Sequence, residues 1–169
     1  TSGDEKNVRD FIISQLPDDC EYTVDPIGNL IVNKKGEMSP KNKVALFAHM
    51  DEVGFIVTYI HENGFVNVAN VGGIDNSALF GKKITVNGHI GVVGGKAIHQ
   101  CAGDEAKKIP DISDMYVDFG FENREIAEKY LTLGDCGYFK SDYIEFGNEM
   151  IKSKALDDRL GCAIMIELL

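Results

Sequence analysis

The sequence predicts an α/β protein with a second, β-rich module inserted into it. Three observations carry that expectation. An amphipathic helix opens the chain, and Val44–Ala48 is a continuous apolar run that suits a strand buried on both faces of a sheet. From about residue 72 the texture turns to short alternating strands and glycines. A helix laid on a doubly buried strand is the signature of an α/β layer, so residues 1–71 and 151–169 are assigned to the α/β frame and 72–150 to the module.

The elements follow in order. Ser2 and Glu5 stand in capping-box spacing, Val8, Phe11, Ile12 and Leu16 recur at helical intervals, and Pro17 ends the run. Tyr22–Val24 and Leu30–Val32 read as short strands joined through Asp25-Pro26-Ile27-Gly28-Asn29. A polar loop at 34–42 leads into the apolar run. Val53–Ile60 and Phe65–Ala69 flank Asn63-Gly64, a two-residue hairpin signal. Ile84–Val86 and His89–Val93 flank Asn87-Gly88, a second one. A charged loop spans 103–111, Met115–Phe119 reads as a strand, and Asn123 caps a short helix at 124–130. Short β-like pieces run on to Ile151, and Arg159–Leu169 is an apolar helix.

With 169 residues there is room for one domain, or for one domain with a smaller insertion. The balance of 17 Lys+Arg against 27 Asp+Glu, net −10 with no basic run, argues against nucleic acid or an anionic membrane as partner. The longest strongly apolar stretch, Gly54–Ile60, falls far short of the roughly 20 residues of a membrane span. Cys20, Cys101, Cys136 and Cys162 form no C-x-x-C pair, so they are expected as free thiols of a reducing, cytoplasmic compartment. Both ends look cut: Thr1 stands at the start of a helix, and the final apolar run has neither C-cap nor polar tail. The expectation is the front part of a longer protein; the alternative is a short terminal helix docked on its own domain.

Two clusters can carry chemistry. Ala48-His49-Met50-Asp51-Glu52 lies beyond the buried apolar run, where α/β sheets place their ligand sites. His49 and Asp51 share one face of an extended chain, so the carboxylate can hold one ring N–H while the other nitrogen binds a metal. The plainer reading is a surface histidine near acids. In Lys154-Ala155-Leu156-Asp157-Asp158-Arg159-Leu160-Gly161, paired carboxylates precede a helix. They serve either as N-cap residues, with Arg159 neutralising one, or as a cation-bridging carboxylate with a supporting neighbour. His61, His89 and His99 are weaker ligand candidates. Phosphate loops, G-x-S-x-G and H-E-x-x-H are absent from the sequence.

Taken with Ser2-Gly3, the Asp25–Ile31 turn, Val71–Asp75 and Val117–Gly120, these two motifs resemble those of the two-metal aminopeptidases that form tetrahedral dodecamers. Members of that family are known as glutamyl or deblocking aminopeptidases, and some as cellulase M-type endoglucanases. The resemblance implies a zinc-peptidase-type sheet domain, here partial, and an inserted module that contributes to oligomer contacts. It implies His49 and Asp157 as metal ligands, Asp157 bridging two divalent ions, zinc or cobalt. Asp51 is implied as the catalytic-site carboxylate that orients His49. Peptides are the implied substrate and a homo-oligomer the implied state of the full-length protein. Family members also carry a Glu-Glu pair, a further carboxylate and a final His beyond the second motif. The chain is therefore expected to be inactive by itself. Two other readings remain: a glycosidase, poorly served by adjacent carboxylates and by a Trp count of 0, and a non-catalytic assembly module.

Overall fold

The computed structural model describes residues 1–38, 41–96 and 109–169. His99, Cys101 and most of the loop expected at 103–111 lie outside the described residues. The fold is α/β and divides into two compact units: Thr1 with Val53–Lys154, and Ser2–Glu52 with Ala155–Leu169.

The larger unit is built on a closed antiparallel barrel. For order along the chain, β1 and β2 denote Glu21–Val24 and Leu30–Asn33 of the other unit. The barrel strands are β3 (Gly54–Ile60), β4 (Val66–Val71), β5 (Lys83–Val86), β6 (His89–Gly95), β7 (Met115–Asp118) and β8 (Cys136–Phe139). Around the wall they run β3-β4-β7-β6-β5-β8, and β8 pairs back onto β3. Both hairpins form, but only Asn87-Gly88 as a two-residue turn; at Asn63-Gly64 the loop holds three residues, 62–64, with Gly64 at φ 84°. His61 N–H bonds the Phe65 carbonyl across the Asn63-Gly64 turn. Asn87 and Gly88 both take positive φ, 49° and 82°, the left-handed pair that matches the twist of a two-residue hairpin. Asn123 caps α2 (Arg124–Ala127) by accepting from Ile126 N–H at 3.0 Å. Alternate residues of the strands fill the interior: Phe55, Val57, Val66, Val68, Ile84, Val86 and Val117 are buried, closed off by Leu79 and Leu131. Phe55 meets Phe139 edge-to-face with ring centroids 5.0 Å apart. A small hairpin, β9 (Ile144–Phe146) with β10 (Met150–Lys152), stands outside the barrel wall with its residues exposed.

The sequence places the start of the inserted module at 72, whereas the compact unit starts at Val53. The reason lies in β3 and β4. Their inward side chains belong to the barrel core, and β3 bonds β8 as well as β4, so the Asn63-Gly64 hairpin is barrel wall rather than frame.

The smaller unit holds α1 (Lys6–Gln15), the β1–β2 hairpin, the stretch 43–52 and α3 (Leu156–Glu167). α1 ends at Leu16, just before Pro17, but the capping box does not form. Glu5 is the N-cap without a side-chain cap bond, its carboxylate accepts from Gly3 N–H at 2.8 Å, and Ser2 reaches Asp51. Between β1 and β2, Asp25 accepts the backbone N–H groups of Ile27 and Asn29, and these hold its carboxyl below the ordinary range, Asn29 first. Val44–Ala48 departs from expectation. It forms no ladder, and Val44 is 86% and Phe47 90% exposed. A continuous apolar run signals burial on two faces, and no strand lies along 43–52 among the described residues to provide either edge or cover.

Removing the largest ring of the barrel core tests this division of labour. Phe55→Ala is expected to cost about 3–5 kcal/mol, read as a lowered midpoint in urea unfolding with an unchanged slope.

Candidate metal centre

The smaller unit brings together the three residues that the two motifs single out. His49 Nδ1 donates to Asp51 Oδ1 at 2.8 Å, and His49 Nε2 faces Asp157 Oδ1 at 3.1 Å, although 108 positions separate the last two in sequence. Alternation along the extended chain puts Asp51 on the face of His49, as expected for residues two apart. With Nδ1–H committed to Asp51, the neutral ring presents a lone pair at Nε2. A lone pair and a carboxylate oxygen are both acceptors. Only a positive charge, as a proton or as a metal cation, reconciles them at this distance.

The titration of the ring follows. Partial loss of water opposes its charging, but the carboxylates of Asp51 and Asp157 outweigh that and raise the His49 pKa above its ordinary value. Asp51 moves the other way. The Ser2 hydroxyl donates to its Oδ2, and this bond, ahead of the one from His49, lowers its pKa despite partial burial. Access remains open, since the Asp157 side chain is 96% exposed and that of His49 55%.

The second motif is shaped by its backbone. Ala155 leads α3 in the left-handed region at φ 55° with no side-chain cap bond. Asp157 (φ −89°, ψ 107°) and Asp158 (φ −124°, ψ 30°) lie outside helical geometry, and the peptide between them is cis. Neither acid acts as the expected N-cap. The Asp158 carboxylate lies against Gly161, where a Cβ would come within 2.5 Å of Oδ1, so only glycine leaves it room. Arg159 does not neutralise the acids. Its Nε donates to the Met50 carbonyl at 2.9 Å, and Nη2 lies 3.4 Å from Glu52 Oε1. The Glu52 side chain is only 8% exposed. Cys162 is buried, its thiol donates to the His49 carbonyl at 3.5 Å, and burial, seconded by Asp158, pushes its pKa up. Ser2, Arg159 and Cys162 are the parts that sequence reasoning missed. Ser2 looked like a helix cap, and the other two act on backbone carbonyls, which leave no trace in residue spacing.

The remaining candidates do not join this cluster. His61 bonds Asn67 and packs edge-on to Tyr59, and His89 packs tilted against the stacked rings of Phe121 and Tyr130. Cys20, Cys136 and Cys162 are free thiols. Among the described residues no group of three or more His, Cys, Asp or Glu is placed to hold a metal ion, so the His49–Asp157 pair stands as two donors. Among the same residues no helix is long and apolar enough to cross a membrane.

Comparison with known proteins places this fold in a class. Glutamyl aminopeptidase of Lactococcus lactis is 34% identical over 178 residues, covering 100% of this chain and 50% of its own. A solved endoglucanase from Thermotoga maritima superposes with a TM-score of 0.84 at 40% identity, over 99% of this chain and 50% of its own. TET1 peptidase of Pyrococcus horikoshii, which assembles into a tetrahedron or a large octahedral shell, superposes at 0.83 with 33% identity, over 98% and 50%. The class is that of aminopeptidase domains. More narrowly, residues 28–169 match the family model of the M42 glutamyl aminopeptidases, and the chain belongs to that family. It spans about half the length of the curated relatives it matches.

A raised His49 pKa fixes the sign of a pH effect. The charged ring is favoured by the fold, so its contribution is complete below the ordinary histidine pKa and is lost as pH rises through the folded value. In the metal-free chain the His49 ring is expected to titrate above an unstructured histidine by NMR. Asp157→Asn is expected to move that titration back down.

Proposed function

We propose that this chain is part of a metal-dependent aminopeptidase that removes N-terminal residues from peptides, with His49 and Asp157 among the ligands of two divalent ions. Membership of the M42 family supports the peptidase activity. The observation that carries the metal assignment is the facing of His49 Nε2 and Asp157 Oδ1 at 3.1 Å, with Nδ1 already held by Asp51. Two donors on one tetrahedral zinc, each about 2.0–2.1 Å from it, lie roughly 3.3 Å apart, so the pair fits a shared cation. The imidazole and carboxylate donor set suits zinc or cobalt.

Bound there, a divalent ion supplies Lewis-acid polarisation of the scissile carbonyl and makes a water molecule more acidic. The residues of the chain do the rest of the positioning. Asp51 keeps Nδ1 protonated and Nε2 a donor of its electron pair, and Ser2 holds the far oxygen of Asp51. Asp157 would hold a divalent ion through its carboxylate beside His49. Glu52 is held beside Arg159 and does not serve as general base. A catalytic zinc takes three protein ligands and a water, so further ligands and a base are needed beyond the described residues, and this chain by itself is expected to be inactive. The full-length enzyme is expected to be a cytoplasmic homo-oligomer, in keeping with the assemblies of TET1 peptidase.

The test uses the natural gene product that contains this sequence, loaded with cobalt or zinc and offered leucyl and glutamyl chromogenic substrates beside soluble cellulose. Aminopeptidase turnover reduced by 10² or more in Asp157→Asn supports the reading. Cellulose hydrolysis without peptidase turnover would sink it in favour of the endoglucanase reading. The 169-residue chain alone is expected to show neither activity. With Val44, Leu46, Phe47, Leu160 and Ile164 exposed, it is also expected to self-associate, seen as a concentration-dependent mass in sedimentation.

A further inference from the structure

Among the described residues the stretch that carries His49 and Asp51 has no hydrogen-bonded strand beside it, so sheet pairing there does not set its backbone. α3 makes the bonds that hold it. The Cys162 thiol takes the His49 carbonyl, Arg159 Nε takes the Met50 carbonyl at 2.9 Å, and the same guanidinium pairs with Glu52. These groups sit on the helix whose first residues include Asp157. The contacts that hold His49 and the residue that faces it therefore share one rigid support.

We infer that Arg159, seconded by Cys162, is a positioning residue that fixes the backbone of residues 49–52 on α3 and thereby sets the separation between His49 Nε2 and Asp157. The inference rests on the metal-site reading for its consequence but not for its geometry. A guanidinium suits the task because its planar fork meets a carbonyl and a carboxylate at once without losing its charge. Lysine at the same place offers a single point of attachment. Cys162 adds a weaker bond from a buried thiol one helical turn on, and serine is the substitution that keeps a donor there.

Two measurements on the natural gene product that contains this sequence separate the possibilities. The first uses no metal: amide hydrogen exchange across 49–52 and the ring ¹⁵N shifts of His49. In Arg159→Gln exchange is expected to quicken several-fold, and the Nδ1–H form of the ring to lose its excess over the other tautomer. The second is titration with Co²⁺ alone, followed by its visible absorption. Arg159→Gln is expected to weaken binding about 10–100-fold, the range for removing a group that supports a ligand, and Arg159→Lys to recover only part of it. Cys162→Val is expected to follow in the same direction, and Cys162→Ser to restore most of the loss. Unchanged exchange, ring shifts and Co²⁺ affinity in folded Arg159→Gln would overturn the inference. If that variant does not fold, the Cys162 pair decides it, and equal behaviour of the valine and serine variants overturns it. Failure of the unsubstituted gene product to bind Co²⁺ would count against the metal-site reading, while the exchange and ring-shift results would still judge the role of Arg159.

Discussion

With Nδ1 protonated against Asp51, the bare Nε2 of His49 and a carboxylate oxygen do not rest 3.1 Å apart unless positive charge joins them, and the rest of the centre is arranged around that requirement. The tautomer of His49 depends on Asp51, and the orientation of Asp51 depends on Ser2. The placement of Asp157 depends on a left-handed Ala155 and on a helix whose regular φ/ψ begins only beyond Asp158. Gly161 gives the neighbouring carboxylate of Asp158 its space. Each group is ordinary alone. Together they hold two acceptors in opposition, which costs free energy until a cation arrives.

The two units spend their sequence differently. The barrel buries nearly all of its large inward side chains and satisfies its backbone by pairing strand to strand around a closed wall. Among the described residues of the smaller unit Ile12 and Cys162 are the buried apolar side chains, while Phe11, Leu46, Phe47, Leu160 and Ile164 lie exposed. Stability resides mainly in the unit that carries no candidate ligand, and the candidate chemistry sits on the unit with the least core of its own.

Much of the fold is legible in the sequence because its signals are local. Asn63-Gly64, Asn87-Gly88 and Asn123 each specify a turn or cap through their own φ preference or side-chain acceptor, and each does so in the structure. What failed depended on distant partners. The run Val44–Ala48 reports how buried a strand is meant to be, not which strand pairs with it, so it reads as core and stands exposed. The pairing of β3 with β8 moved the boundary of the barrel unit, and nothing within 53–60 announces a partner some eighty residues away. At the site, the His49–Asp51 spacing was readable because both lie on one short segment. The backbone contacts of Arg159 and Cys162 were not, since any residue could supply the carbonyls they bind.

Closure of the barrel also limits how that unit can meet other molecules. Among the described residues every strand of the wall has a neighbour on each side, so the edges left for strand addition are confined to β4 beyond its single pair with β7 and to the β9–β10 hairpin. Recognition through the paired parts of the wall is therefore written in side chains, and it can change by point substitution without disturbing the hydrogen-bonded frame that presents them.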